Sequence, residues 1–231
     1  TGVFQLSPRL DTVVGQNTAA ALILSLAVSV ELALLAKGVA IVFNVSPTMS
    51  TVDFITVSAV GGAIASIVVL LITLVMASGS VRFGWDLDNV VAPLVTATGD
   101  VITLPALVWA AALAGMGGVS VTIAIVVSVL SIVGVVWSLR ADHRILRTVM
   151  RESLPILTVA GILDLIAGIT IEKRLEDFVE FPVLLILLPG FLGTAGALGG
   201  VLSSRLATKV HLGLVRPGAI PRGQAGSDIL M

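Results

Sequence analysis

Cysteine and tyrosine are absent from this 231-residue chain, histidine occurs twice, and charged residues make up only 12% of it. Each scarcity excludes something. Without cysteine there is no disulfide, no thiolate metal site and no cysteine nucleophile, and the redox compartment cannot be read from the sequence. Without tyrosine the aromatic girdles of a transmembrane β-barrel are missing. So little charge, with a mean hydropathy of +1.12, excludes an ordinary soluble domain. The patterns GxxxxGK[ST], HExxH and GxSxG are absent as well, so the sequence does not read as an enzyme.

What remains is oil. Apolar residues make up 57% of the chain and lie in continuous runs of about 20 residues, each long enough to cross a hydrocarbon core about 30 Å thick. The runs are unbroken rather than alternating, which favours helices over strands. The sequence therefore predicts an all-α polytopic membrane bundle of about six transmembrane helices, near residues 17–43, 52–78, 88–115, 119–139, 154–171 and 181–202. A polar lead-in, 1–16, precedes them. It opens on Thr without a signal-peptide pattern, so a processed or truncated chain is expected. Gly61-Gly62, Ala63 and Ala65 in the second span are small enough for a neighbouring helix to approach closely. Residues 79–87 read as a short polar hinge, Gly117-Gly118 as a tight turn and Glu172–Glu180 as a mixed-charge loop. Arg140–Glu152 carries four arginines and reads as a short helix lying on the membrane surface.

Six spans put the amino end, the hinge, the basic connector and the tail on one side. Of the 13 Lys and Arg, that side holds ten: Arg9, Arg82, Arg140, Arg144, Arg147, Arg151, Arg205, Lys209, Arg216 and Arg222. Lys37, Lys173 and Arg174 fall on the other. The positive-inside rule then places both termini in the cytoplasm of a cell whose plasma membrane the chain crosses several times.

Against this background the acids inside the spans stand out, because a charge at the bilayer centre costs from about 2.5 to more than 10 kcal/mol. They are Glu31, Asp100 and Asp164. At about 100° per helical residue, Asp86, Asn89, Pro93, Thr96 and Asp100 fall within about 80° of one another, forming a polar stripe; Asp88 lies off it. Carboxylate, amide and hydroxyl oxygens along one helix suit the path of a hard cation. The structural alternative for Asp100 is an ion pair with a base such as Lys37. For Glu31 and Asp164, interhelical pairing and a place on an ion path are equally open. His143 and His211 lie in basic segments, where a solvated or phosphate-facing role is expected rather than metal ligation. The Gly-rich run 189–200 lacks the surroundings of a dinucleotide site and reads as a closely packed membrane helix.

The stretch Asp86-Leu-Asp-Asn-Val-Val-Ala-Pro-Leu-Val-Thr-Ala-Thr-Gly-Asp100 resembles the signature of the MgtE-type magnesium transporters and their eukaryotic solute-carrier relatives, in which a DPDN-like start leads through a proline to an acid in the pore. Leu188-Pro-Gly-Phe-Leu-Gly-Thr-Ala-Gly-Ala-Leu-Gly-Gly-Val-Leu-Ser-Ser-Arg-Leu-Ala-Thr208 resembles that family's small-residue segment in an early helix, and Gly161-Ile-Leu-Asp164 the acidic step in the helix before it. The sequence departs from the pattern in three respects. Leu87 stands where a proline follows the first Asp, Gly196-Ala197 where a Gly-Asn pair is expected, and the cytoplasmic regulatory domains of bacterial members are not expected here.

The resemblance implies an MgtE-like membrane domain in the order of a fragment. Residues 17–116 would match the last three helices of one module, 117–152 a linker helix and connector, and 153–231 the first two helices of another with a basic tail. It implies a channel or transporter for a divalent cation, magnesium above all, as transported ion. Asp100 would be the main pore acid, and Asp86, Asp88, Asn89, Thr96 and Asp164 further metal-contacting residues. One helix cannot enclose a pore, so a homodimer or a partner module is implied, in a lipid bilayer and with no nucleic acid. Two alternatives stay open: a proton- or sodium-coupled carrier, and a non-transporting membrane scaffold with structural acids.

Overall fold

A computed structural model describes residues 9–45, 48–84, 90–174 and 179–214. They form six helices of 20 residues or more: α1 Val13–Val42, α2 Thr51–Phe83, α3 Ala92–Ala111, α4 Gly118–Arg140, α5 Arg144–Glu172 and α6 Pro182–His211. No strand occurs among the described residues. The first five are long and apolar enough to cross a membrane; α6, the expected sixth span, is 30 residues long.

Local chemistry sets the helix ends. The Thr12 hydroxyl accepts from the Gly15 amide at 3.0 Å and starts α1. At its far end Asn44 takes a left-handed φ of 52°, while the Asn44 and Val45 amides donate back to Ile41 and Ala40, a Schellman closure. At the start of α2 the Ser50 hydroxyl accepts from the Asp53 amide (3.1 Å), an N-cap bond, and donates to the Asp53 carboxylate (2.7 Å). Gly115 and Gly117, with φ of 75° and 56°, make the α3–α4 turn in conformations that a side chain would strain.

Three expectations are corrected. The basic connector is not a separate surface helix. After a break at 141–143 the chain re-enters a helix at Arg144 and continues unbroken to Glu172, so Arg144, Arg147 and Arg151 form the opening turns of a spanning helix. The hinge after α2 is shorter than the polarity of 79–87 predicts, because the helix continues to Phe83 and buries Ser80. Finally, α6 passes 202 and ends at Gly213, whose φ of 72° closes a second Schellman turn with Leu214 donating to Lys209 at 2.9 Å. Arg205 and Lys209 therefore lie on a helix.

The chain divides into two compact units. The first contains residues up to Leu70 and from Ile102 through α5. In it α1 packs against α4 and α5, which also pack against each other. The contacts rely on small residues, as in membrane bundles where lipid removes the hydrophobic drive between helices. Ala20, Ala33 and Ala59 are buried, and Gly61 lies against Leu107, Gly134 against Ile23 and Gly161 against Leu32. Hydroxyls add cross-links: Ser25 to Ser66 at 2.6 Å, Ser58 to the Ser29 carbonyl at 2.8 Å, and Thr56 to the Ser120 carbonyl at 2.9 Å.

The two ends of this unit differ in charge. At one end the Leu146 amide donates to Gln16 Oε1 at 3.3 Å, and Ala20, Leu24, Leu146 and Met150 close a buried cluster beside Arg140 and Arg144. At the other, Lys37 Nζ donates to Thr48 Oγ1 at 2.5 Å and to the Met49 carbonyl at 2.6 Å, while Lys173 stands 4.9 Å from the centroid of the Phe43 ring. The second unit holds Leu71–Val101 together with α6.

Candidate functional site: the acidic face of α3

α3 carries the centre of the polar stripe. Pro93 sits in its first turn, where a missing N–H costs nothing and the fixed φ suits a helix start. Thr96 and Asp100 follow one turn apart on the same face. Pro105 lies inside the helix without ending it. Around the stripe the helix is apolar and outward-facing: Val101, Leu104, Val108 and Trp109 are all exposed, Trp109 by 76%.

Within the second unit this face meets the Gly-rich part of α6. A Cβ placed on Gly193 would stand 3.4 Å from Asp100 Oδ2, and one placed on Gly196 would stand 3.2 Å from the Thr96 methyl. Residue 100 faces 193 and residue 96 faces 196, so the two segments run antiparallel. Glycine at both positions lets α6 come up to the carboxylate and the threonine with only hydrogens between. The two sequence patches that carry the family resemblance are thus brought together by the fold.

Asp100 is exposed, and among the described residues no hydrogen bond or ion pair engages its carboxylate. Lys37, the base considered as its structural partner, has its ammonium committed to Thr48 and Met49. Among the described residues no group of three His, Cys, Asp or Glu gathers at a point. The chemistry on offer is therefore one carboxylate with a threonine a turn away, which suits an ion that keeps most of its water shell.

The other expected residues are placed as follows. Asp86, Asp88 and Asn89 lie outside the described residues. Asp164 is exposed midway along α5, in the first unit, and Glu31 is half-buried on α1. Among the described residues neither has a hydrogen-bonded or ionic partner. His143 is the N-cap residue of α5 without a side-chain capping bond, and His211 Nδ1 contacts the Ala207 carbonyl at 2.7 Å.

One acid that the sequence reading passed over is the most heavily bonded. Asp53 Oδ1 accepts from the Gly115 amide at 2.9 Å and the Ser120 hydroxyl at 2.8 Å, while Oδ2 accepts from Ser50 at 2.7 Å. This ties the start of α2 to the α3–α4 turn. The spacing Ser50-x-x-Asp53 was the signal available for it.

Comparison with known proteins bears on the same helices. Residues 1–110, which contain α1, α2 and nearly all of α3, match the family model MgtE, described as a divalent cation transporter. This part of the chain is therefore similar to the MgtE family. Over 168 residues it is 28% identical to solute carrier family 41 member 2 of Gallus gallus, a match covering 71% of this chain and 29% of that relative. The chain thus spans less than a third of the length of that relative. No solved structure matches. The MgtE match ends within α3, just beyond Asp100, and the longer match to the solute carrier reaches past the MgtE-matched segment.

Proposed function

We propose that this chain is a pore-lining part of a divalent cation channel or transporter, and that magnesium is the ion it carries. The observation that supports this most directly is Asp100. Its carboxylate stands on an apolar spanning helix, without a protein partner among the described residues, against the glycine face of α6. Magnesium prefers six oxygens at about 2.0–2.1 Å and sheds water reluctantly, so a sparse row of oxygens acting through its hydration shell suits it better than a full cage.

In this reading Asp86, Asp88 and Asn89 receive the ion at the cytoplasmic mouth, and Thr96 and Asp100 line the path beyond it. From Asp86 to Asp100 a continuous helical rise would be about 21 Å, reaching past the middle of the bilayer. Asp164 supplies the equivalent acidic step of a second module. A second copy of this chain, or a partner module, completes the pore by presenting an opposing stripe. The termini lie in the cytoplasm of a plasma-membrane protein. The clustering of Arg140 and Arg144 at one end of the first unit and of Lys37 and Lys173 at the other supports that orientation. The membrane potential, inside negative, favours entry by about 2.3 kcal/mol per charge per 100 mV.

The test is magnesium flux into liposomes holding the full chain, with Asp100→Asn beside wild type. Wild type carries flux and the variant loses most of it. Unchanged flux in the variant would remove Asp100 from the path, and flux that requires an imposed proton or sodium gradient would replace the channel reading with a coupled carrier.

A further inference from the structure

The opening turns of α5 combine charge and helix polarity in a way that ordinary helix chemistry disfavours. Arg144 and Arg147 lie at its amino end, Arg151 follows one turn later, and no acid occupies the first turn. The amino end of a helix carries partial positive charge, so acids are stabilising there and bases are not. Arg144, Arg147 and Arg151, at spacings of three and four, share one face. Arg144 and Arg151 are exposed and Arg147 half-buried on that face, while Leu146 and Met150 are buried against α1. Arg140 adds a fourth guanidinium at the last residue of α4.

Among the described residues one ion pair engages this cluster, and Glu152, next to Arg151, forms none. Asp142 is 3.8 Å from Arg147, and its side chain is fully exposed. Arg147 Nη2 donates to the Ala141 carbonyl at 2.6 Å, which fixes the guanidinium, and its Nε is buried without a partner. His143 provides no side-chain capping bond, and of the first amides Leu146 is satisfied by Gln16 of α1. The break between α4 and α5 is only three residues, 141–143, and both helices are apolar enough to span. The cluster therefore sits at the level where lipid headgroups lie.

We propose that the α4–α5 elbow is a binding site for the phosphate headgroups of anionic phospholipids, held by Arg140, Arg144, Arg147 and Arg151. Guanidinium forks match phosphate oxygens, and the helix terminus adds its own attraction for an anion. Because Leu146 and Met150 pack on α1 directly beneath, an occupied elbow stabilises the α1–α4–α5 core.

The experiment is thermal unfolding of the full chain in neutral detergent with a chelator present, so that no divalent cation bridges. Dioleoylphosphatidylglycerol, dioleoylphosphatidylcholine or inorganic phosphate is added. Phosphatidylglycerol raises the wild-type midpoint by several degrees, and phosphatidylcholine and inorganic phosphate at matched concentration do not. Arg144→Gln/Arg151→Gln is at least as stable as wild type without lipid, since it relieves the clash with the helix terminus, yet loses most of the shift. Arg174→Gln, at the other end of α5, keeps it. Retention of the full shift by the double variant overturns the site, and equal loss in Arg174→Gln reduces it to net charge. A full shift from inorganic phosphate alone overturns the lipid as its source.

Discussion

The Asp100 carboxylate of α3 lies against Gly193 of α6, with Oδ2 3.4 Å from the point a Cβ on that glycine would occupy. A methyl there makes ordinary van der Waals contact, and a larger side chain takes the space of the carboxylate or of whatever it binds. One turn away the fit is tighter, because a methyl on Gly196 would be 3.2 Å from the Thr96 methyl.

The two glycines should therefore respond differently. Gly193→Ala retains most of the wild-type magnesium flux, whereas Gly193→Leu displaces the carboxylate and lowers flux to the level of Asp100→Asn. Gly196→Ala falls between them, since Thr96 must give by a few tenths of an ångström. Flux from matched liposomes ranks the three, and equal flux in Gly193→Leu and wild type would separate α6 from the ion path.

Magnesium should stabilise the folded protein through Asp100. Binding to the native state alone adds RT ln(1 + [L]/Kd), about 2.7 kcal/mol at a hundredfold excess over Kd. A magnesium titration of the unfolding midpoint should rise for wild type and stay flat for Asp100→Asn. An identical rise in both places the binding elsewhere. If the variant instead unfolds at lower temperature with no magnesium present, Asp100 is a structural acid and the scaffold reading gains.

Gly61 offers a test of packing separate from function. A Cβ there would meet Leu107 Cδ2 at 2.7 Å and Leu107 Cα at 3.2 Å. A leucine tip can rotate away, but the backbone behind it cannot. Gly61→Ala should therefore cost about 1–3 kcal/mol, the usual range for overpacking, read as a lowered midpoint with and without magnesium alike. Gly168→Ala, whose Cβ would meet open space, serves as the control.

Asp53→Asn should loosen one end of the first unit while leaving its centre intact. The amide oxygen can still accept from Gly115 and Ser120, but it carries no charge to strengthen those bonds, and its NH2 group faces Ser50 where Oδ2 now accepts. Hydrogen exchange at residues 112–120 should speed up while amides around Ala20 and Leu24 keep their protection. Uniform acceleration would mean that the clip holds the whole unit.

Several features could be read from sequence because one physical constraint dominates them. Lipid cannot satisfy a bare backbone, so long apolar runs must be helices, and the expected spans matched the helices to within a few residues at most ends. The ends that were missed share a cause. Polar residues at 79–83, 144–152 and 203–211 suggested interruptions, but helices lengthen past the hydrocarbon wherever nothing stops them, and the stops were Gly84, the 141–143 break and Gly213. The stripe residues Thr96 and Asp100 were legible because helical periodicity alone puts them on one face. What faces them was not, since Gly193 is nearly a hundred residues away and glycine carries no side chain to signal a partner. Asp53 was overlooked because an acid in a first helical turn is ordinary, and only the fold brings the Gly115 amide and the Ser120 hydroxyl to it.

By itself, then, the sequence determined the helical class, the spanning runs, a likeness to the MgtE family over residues 1–110 and the position of an acid inside a span. Each follows from local composition and from the refusal of hydrocarbon to solvate polar groups. Tertiary structure alone decided which acid is bonded and which is left to the solvent or an ion. It set Asp53 among three donors, drew Lys37 into its own loop, and laid Gly193 against Asp100. Those outcomes depend on distances between residues far apart in the chain, fixed by small-residue helix packing that composition permits but does not specify.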